Sequence, residues 1–177
     1  MVSIISHWML TEPALKKINP IIFMKGGQNM LRPTKILVPT DYSEYSDKAL
    51  QQALDIAKHY NAKVFLFHVI PKEVNPCVAD VCLGDDVMSD IESQMITRAQ
   101  EELQSQLNKF PQAKDVSVTT DIGKGTPYDA ILKEAEDKGI DLIVIASLGR
   151  SGIARFLIGS VARNVLKGAK CPVLLTK

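Results

Sequence analysis

The sequence predicts an α/β domain with an open, five-stranded parallel sheet and helices on both faces. From residue 34 onward, short apolar runs alternate with segments whose apolar residues recur at helical spacing. The connections between successive runs are long enough to hold a helix, which a crossover between parallel strands requires. In such doubly wound sheets ligands bind at the carboxyl ends of the strands, so functional residues are expected after the first, second and fourth strands.

Five runs predict the strands. The first, KILVP, is a short apolar run that ends at a proline, as a buried parallel strand does, and the second, KVFLFHVI, is apolar on both alternating faces. The third alternates polar with apolar residues, and the last two are DLIVIA and CPVLLT. In chain order the strands are expected at residues 35–39, 63–70, 116–122, 141–146 and 171–176.

Four intervening segments predict the helices, because their apolar residues recur every three or four positions. The first segment offers Ser43 or Ser46 as its N-cap. The third opens with Thr126 as N-cap and Pro127 in the first turn, where the missing N–H group of proline costs no hydrogen bond. The helices are expected at about residues 43–60, 87–108, 127–139 and 160–168.

Residues 1–33 depart from this pattern and are predicted to be an N-terminal extension, weakly ordered or peripheral, of a domain at residues 34–177. They contain two short apolar patches, at residues 4–10 and residues 21–24. A secretory signal is not expected, because no Lys or Arg precedes the first patch and polar residues interrupt it. A second interpretation stays open, in which the extension docks on the domain or on a membrane surface through Trp8 and its apolar neighbours.

The charge and hydropathy of the chain exclude several classes of protein. It carries 21 Lys and Arg residues against 20 Asp and Glu residues, a net charge of +1. Nucleic-acid binders that neutralise phosphates normally show a larger basic excess. The apolar runs are all far shorter than the roughly 20 residues that span a bilayer. We therefore predict no nucleic-acid partner, no membrane partner and a cytoplasmic location.

The three cysteines, Cys77, Cys82 and Cys171, show no metal-binding spacing such as paired C-x-x-C motifs. Cys77 and Cys82 lie in one predicted loop and could form a local disulfide. An odd number of cysteines without an export signal fits a reducing cytoplasm, where such thiols usually stay free. A redox role for this pair is left open.

The loop after the fourth strand combines the features of a phosphate-binding cradle. Gly149, Gly152 and Gly159 allow the backbone to approach a ligand closely, and Gly159 with Ser160 opens a helix whose free N–H groups favour an anion. The lysine-containing pattern G-x-x-x-x-G-K-[ST] and the dinucleotide pattern G-x-G-x-x-G are both absent. On these residues alone, a glycine-rich turn with Ser160 as a simple N-cap is an equally good interpretation.

The sequence resembles the universal stress protein family over about residues 34–177. The motifs that carry the resemblance are ILVPTDYSE at 36–44, LFHV at 66–69, GTP at 125–127, GSVA at 159–162 and CPVLL at 171–175. The resemblance implies a Rossmann-like sheet of the adenine nucleotide alpha hydrolase-like type. It also implies dimerisation through the last strand and, in many members, a bound adenine nucleotide.

The resemblance also implies which residues would bind the nucleotide. Members that do so carry G-x-x-G, nine residues and then G-[ST]; here Gly149, Gly159 and Ser160 keep that gap, whereas Ala146 replaces the first glycine. If that position needs a positive φ, the alanine costs on the order of 1 kcal/mol; if it does not, the methyl group is tolerated. The nucleotide-binding residues are expected to be Pro39, Thr40, Asp41, Val69, Ala146, Gly149, Arg150, Ser151, Gly152, Gly159, Ser160 and Val161.

Some of these residues, and their neighbours, have simpler interpretations. Asp41 ends a strand and could cap the following turn instead of contacting a ligand. Arg150 and Arg155 could contact phosphate or only solvent. His68 lies inside a buried strand and is predicted to be a hydrogen-bonded core residue rather than a catalyst.

Three functional hypotheses follow. The first is a cytoplasmic, homodimeric regulatory protein that binds an adenine nucleotide, ATP above all and with Mg²⁺ beside a triphosphate, and signals to a protein partner. The second is a nucleotide-free stress-response dimerisation module, which Ala146 favours. The third is a weak ATPase. No other enzyme activity and no resident metal are predicted, because metal-ligand spacing is absent and Ile153 replaces the last glycine of a nucleophile elbow.

Overall fold

A computed structural model gives the fold of the chain. It describes residues 21–23, 32–71, 77–78, 81–82, 85–149 and 158–177. Along these residues the elements are, in order, β1 (Ile21–Phe23), β2 (Lys35–Thr40), α1 (Glu44–Tyr60), β3 (Lys63–Ile70), β4 (Cys77–Val78), β5 (Val81–Cys82), α2 (Asp85–Asn108), a 3-10 helix (Pro111–Asp115), β6 (Val118–Lys124), α3 (Pro127–Asp137), β7 (Leu142–Ala146), α4 (Ser160–Gly168) and β8 (Val173–Thr176).

Five parallel strands form the main sheet, in the order β8–β7–β2–β3–β6. The central strand, β2, pairs in parallel with both of its neighbours, so that Ile36 lies opposite Val64 of β3 and Leu142 of β7. This is the open parallel sheet that the sequence predicts. The third predicted strand begins later than expected, at Val118, because the 3-10 helix takes up the residues before it.

A short antiparallel strand, which the spacing of apolar residues does not predict, extends this sheet. β1 pairs with the outer edge of β8, with Ile21 opposite Leu175 and Phe23 opposite Val173. It coincides with the second apolar patch of the N-terminal extension. At this position the extension contacts the domain. The docking interpretation places the contact at Trp8, which lies outside the described residues, so that interpretation stays a prediction.

Helices cover both faces of the sheet. Successive residues of a strand point to opposite faces, so each buried strand contributes apolar side chains to two core layers. Ile36 and Leu66 lie in the core layer that α1 and α2 cover, and Leu37 and Phe67 lie in the layer that α3 and α4 cover. The two apolar faces predicted for the buried strands are thereby explained.

α2 is the longest helix, with 24 residues, and its sequence is rich in Asp, Glu and Gln. Within the part of the chain that the structure describes, no helix has both the length and the apolar character that a bilayer crossing demands.

The segment between β3 and α2 contains a two-stranded antiparallel ladder of β4 and β5. Cys77 lies opposite Cys82 in this ladder, the register that a local disulfide would need. Formation of that disulfide stays a prediction. Cys171 is a half-buried free cysteine, and burial raises the pKa of its thiol.

β1 covers a sheet edge that would otherwise be open to another strand. We predict that deletion of residues 1–32 increases self-association, because it exposes the backbone N–H and C=O groups of β8. Deletion of residues 1–19, which keeps β1, is the control. Sedimentation velocity at several concentrations measures both, and an unchanged distribution after the longer deletion would contradict the edge-covering role.

Candidate functional site

The candidate site lies where the strand order reverses. β2 is followed along the chain by β3 on one side, while β7 lies on its other side, which leaves a crevice at their carboxyl ends. A cavity of about 520 Å³ occupies this position, within the usual size range of small-molecule sites. The first turns of α3 and α4 complete its walls.

Nine of the twelve candidate residues line this cavity. They come from the three strand ends and the start of α4, so the structure brings together residues that are more than a hundred positions apart. Their contact with a nucleotide stays a prediction. The nine are Pro39, Thr40, Asp41, Val69, Ala146, Gly149, Gly159, Ser160 and Val161. Arg150, Ser151 and Gly152, like Arg155, lie outside the described residues.

Sequence reasoning misses several residues of the lining. Phe67, Ile145 and Ser147 come from the ends of β3 and β7, and Ile131 comes from α3. The period of two along a strand could have found Phe67, which lies two positions from Val69. Ile145 and Ser147 each lie one position from the candidate Ala146, so the same period would not have found them. The contribution of α3 depends on how that helix packs on the sheet, which no local pattern shows.

Asp41 lines the cavity and also caps the turn after β2. Its Oδ1 accepts hydrogen bonds from the Ser43 N–H group at 3.2 Å and the Ser43 hydroxyl at 2.6 Å. A Cβ atom on Gly149 would lie 2.7 Å from Asp41 Oδ2, so a side chain at this position would require the Asp41 carboxylate to shift. The capping interpretation of Asp41 is confirmed, and its carboxylate also faces the backbone of the loop after β7.

The turn that carries Asp41 is fixed at both ends. Tyr42 adopts the left-handed conformation, with φ at 64°, and its N–H group donates to Thr40 Oγ1 at 3.0 Å. Ser43 is the N-cap of α1, with its Oγ accepting from the Ser46 N–H group at 3.2 Å. Of the two N-caps that the sequence predicts, Ser43 and Ser46, the structure uses Ser43.

The start of α4 forms an anion-favouring wall. Gly159 is its N-cap and Ser160 is already helical, so the interpretation of Ser160 as a simple N-cap is wrong. The Gly159 N–H group donates to Ser147 O at 2.8 Å, which ties the helix to the end of β7. The next N–H groups have no acceptor within the helix and lie at the positive end of its dipole.

Ala146 does not strain the backbone. It is the last residue of β7 and lies opposite Thr176 in the parallel ladder. Apart from glycines, the described residues with positive φ are Tyr42 and Asn61. The condition under which alanine would cost energy is therefore not met, and the methyl group is tolerated.

Ser147 is a residue of the cavity lining whose hydroxyl is buried without a partner in the residues that the structure describes. The residue is 3% exposed, and its Oγ atom has no hydrogen-bond partner among the described residues. Burial without a partner costs about 1–3 kcal/mol, so a ligand that supplies one is favoured. Thr176 Oγ1 is buried and likewise lacks a partner within the described part of the chain, but Thr176 does not line the cavity.

His68 is hydrogen-bonded within the fold, as predicted. Its Nδ1 atom lies 2.9 Å from Thr40 O, so Nδ1 carries the proton, and its ring centroid is 4.4 Å from that of Tyr42. Asp41 and His68 are the ionisable side chains among the described residues of the lining. The described residues also contain no group of three or more His, Cys, Asp or Glu arranged to hold a metal ion.

Comparison with known proteins relates this geometry to a family. The model of the Universal stress protein family matches residues 33–177, which include the whole parallel sheet. The chain belongs to the universal stress protein family. It is 34% identical to Universal stress protein MJ0531 of Methanocaldococcus jannaschii over 160 residues, 90% of this chain and 89% of that protein. It is 31% identical to Universal stress protein YxiE of Bacillus subtilis over 146 residues, 81% of this chain and 98% of that protein.

A solved universal stress protein structure shares the fold. UspA from Lactobacillus plantarum gives a TM-score of 0.70 at 25% identity and covers 84% of this chain and 100% of its own. The α/β class with five parallel strands, predicted from the sequence, is thereby confirmed.

Ser43 offers a test of how the turn is held. We predict that Ser43→Ala lowers the free energy of unfolding by about 1 kcal/mol, because the variant loses a helix cap. Thr126→Ala is the control, since Thr126 is the N-cap of α3 without a side-chain cap hydrogen bond, and it should cost much less. Urea unfolding measures both, and equal losses would argue against the cap.

Proposed function

We propose that this universal stress protein is a regulatory protein that binds an adenine nucleotide, ATP above all, in the cavity at the ends of β2, β3 and β7. The observation that carries the proposal is that one cavity of about 520 Å³ combines apolar walls with the start of α4. A nucleotide has the same two parts, an apolar base and a chain of phosphates.

The apolar part of the cavity suits the base. Pro39, Val69 and Ile145 contribute to its walls, and Phe67 lies beside them. We assign the adenine to these residues. We assign the ribose hydroxyls to Asp41, because an ionised carboxylate accepts hydrogen bonds and this one lines the cavity.

The phosphates are assigned to the loop after β7 and the start of α4. The first N–H groups of α4 favour an anion, and Ser147 and Ser160 both line the same wall. Gly149 has no side chain, which leaves room for the Asp41 carboxylate beside this loop. Phosphate contact by residues 150–152 stays a prediction. A triphosphate would bring Mg²⁺ with it, held chiefly by phosphate oxygens and water.

Two proteins of this fold have been solved with adenine nucleotides. One is a universal stress protein in complex with cAMP, 24% identical to this chain, and the other is the universal stress protein from Archaeoglobus fulgidus in complex with dAMP, 21% identical. At these identities the likeness shows a shared fold and no more. The ligand assignment for this chain therefore rests on its own cavity. Their ligands are the nucleotides to test beside ATP.

We also propose that the protein acts as a cytoplasmic homodimer that passes its nucleotide state to a protein partner. The second copy would pair along β8, whose outer edge carries β1 in the structure. Dimerisation by this route requires β1 to leave that edge. The oligomeric state would then depend on the N-terminal extension.

The proposal includes no catalytic residue. Asp41 accepts hydrogen bonds from Ser43, and His68 donates to Thr40 O, so both ionisable groups of the described lining have structural roles. Slow hydrolysis of ATP by a positioned water is the remaining enzymatic hypothesis. Phosphate release above that of a Ser160→Ala variant would support it.

The alternative is a nucleotide-free dimerisation module. Ala146 favours it only if the position needs positive φ, and Ala146 lies in extended backbone at the end of β7. The cavity therefore supports the nucleotide-binding proposal over the alternative.

We predict that millimolar ATP raises the melting temperature, because a ligand of the native state stabilises it. Ser147→Ala should weaken ATP binding about threefold to tenfold, because it removes a hydroxyl from the lining. Thr176→Val removes a buried hydroxyl outside the cavity and should bind like the wild type. Scanning calorimetry measures the melting temperature with and without ATP, and titration calorimetry measures the ATP affinity of the wild type and of both variants. The absence of any shift with ATP, cAMP or dAMP would overturn nucleotide binding, and equal losses in both variants would overturn the role of Ser147.

We predict that Ala146→Gly leaves ATP affinity within about twofold of the wild type, because extended backbone gives glycine no advantage. The variant should be slightly less stable, since glycine loses more entropy on folding. Titration of both proteins with ATP measures the ratio. A large gain of affinity over an inert parent would support the nucleotide-free alternative instead.

A further inference from the structure

A buried side chain of α2 reaches the turn that carries Asp41. Gln106 is 2% exposed and lies 66 residues after Thr40 in the chain. Its Oε1 atom is 2.9 Å from Thr40 Oγ1, and its Nε2 atom is 2.7 Å from Asp47 Oδ1 and 3.3 Å from Ser46 Oγ. Gln106 does not line the cavity, so it is not a ligand-contacting residue.

The donors and acceptors around Gln106 can be assigned. The Ser46 hydroxyl donates to Ser43 O at 2.8 Å, so its oxygen accepts from the Gln106 amide. Thr40 Oγ1 accepts from the Tyr42 N–H group, and two acceptors lie near its one proton, Gln106 Oε1 at 2.9 Å and Ser46 Oγ at 3.0 Å. We assign the proton to Gln106 Oε1, because Ser46 Oγ already accepts from the Gln106 amide. The amide thus uses its oxygen and both of its N–H donors, which is a fully satisfied buried network.

Gln106 thereby joins the two flanks of the turn at residues 41–43, beside a direct contact of 3.0 Å between the Thr40 and Ser46 hydroxyl oxygens. Thr40 ends β2, and Ser46 and Asp47 lie in the first turn of α1. The turn between them holds a residue in the left-handed conformation, which persists only where the surroundings enforce it. A side chain bonded to both flanks supplies such enforcement.

We propose that Gln106 is a positioning residue for the nucleotide site. It fixes the turn at residues 41–43, and with it the Asp41 carboxylate, without touching the ligand. The inference rests on the proposed nucleotide binding and adds α2 to the elements that set affinity. Lys109 lies 2.8 Å from Asp47 Oδ2, so that the Asp47 carboxylate keeps a charged partner when Gln106 is replaced.

The test is Gln106→Met in the full chain, because methionine has a similar volume but lacks the amide donors and acceptor. Calorimetry gives the ATP dissociation constant, and hydrogen exchange without nucleotide reports on the amides of residues 41–46. We expect ATP to bind about tenfold more weakly and the Tyr42 and Ser43 amides to exchange faster.

Two variants on the same helix are the controls. Leu103 is 1% exposed in the core and lies outside the network, so Leu103→Val lowers stability while leaving the turn intact. Gln104 is exposed and bonds Asn108 on its own helix, so Gln104→Met repeats the chemical change away from the turn. Both should keep wild-type ATP affinity. Unchanged affinity in Gln106→Met, or an equal loss in Leu103→Val, would overturn the positioning role.

The exchange measurement separates the inference from the proposed function. If the wild type binds no nucleotide, the proposed function fails, and exchange at residues 41–43 still decides whether Gln106 holds the turn. Exchange in Gln106→Met that equals that of the wild type and Leu103→Val would overturn the inference. Faster exchange in Gln106→Met alone would support it.

Discussion

The parallel pairing of β2 with β3 on one side and β7 on the other is the constraint on which the site depends. Because helices cover both faces of the sheet, the side chains within the strands belong to the core, and only the strand ends can present polar groups to a ligand. After β2 the chain turns into α1 on one face, whereas after β7 it leads to α4 on the other. The two loops therefore part at the same point of the edge and leave the cavity between them.

The described ends of these two loops are held by different kinds of hydrogen bond. After β2, side chains shape the turn: Asp41 and Ser43 bond each other, and Thr40 holds the Tyr42 N–H group. After β7, main-chain groups do so, since Ser147 N–H donates to Thr176 O and Ser147 O accepts from Gly159 N–H, each at 2.8 Å. The Ser147 hydroxyl is not needed for this and has no partner among the described residues. The loop after β7 therefore keeps polar capacity for a ligand.

The sequence predicts those parts of the molecule whose signal is local. Buried parallel strands are apolar on both faces, and their carboxyl ends meet at one edge, so the strand pattern places the ends of β2, β3 and β7 together. The family resemblance then implies that Asp41, Val69 and Gly149 are site residues there. β1 has only three residues, too few to show a period, and its pairing depends on a free edge of β8 that only the strand order reveals. The buried position of Gln106 is not predicted for a related reason. Its partner Thr40 lies 66 residues away in the chain, and the sequence pattern of an acidic helix indicates solvent exposure for a polar residue.

The departure at Ala146 shows why a glycine motif has to be judged position by position. At Gly149 a Cβ atom would lie 2.7 Å from Asp41 Oδ2, so a larger residue there would displace the Asp41 carboxylate. At Gly159 a Cβ atom would meet Ser147 O at 3.5 Å, an ordinary contact, and φ is −57°. Position 146 is the last residue of a strand, where glycine has no conformational advantage. The backbone at position 146 thus needs no glycine, so the altered motif is compatible with an intact cavity.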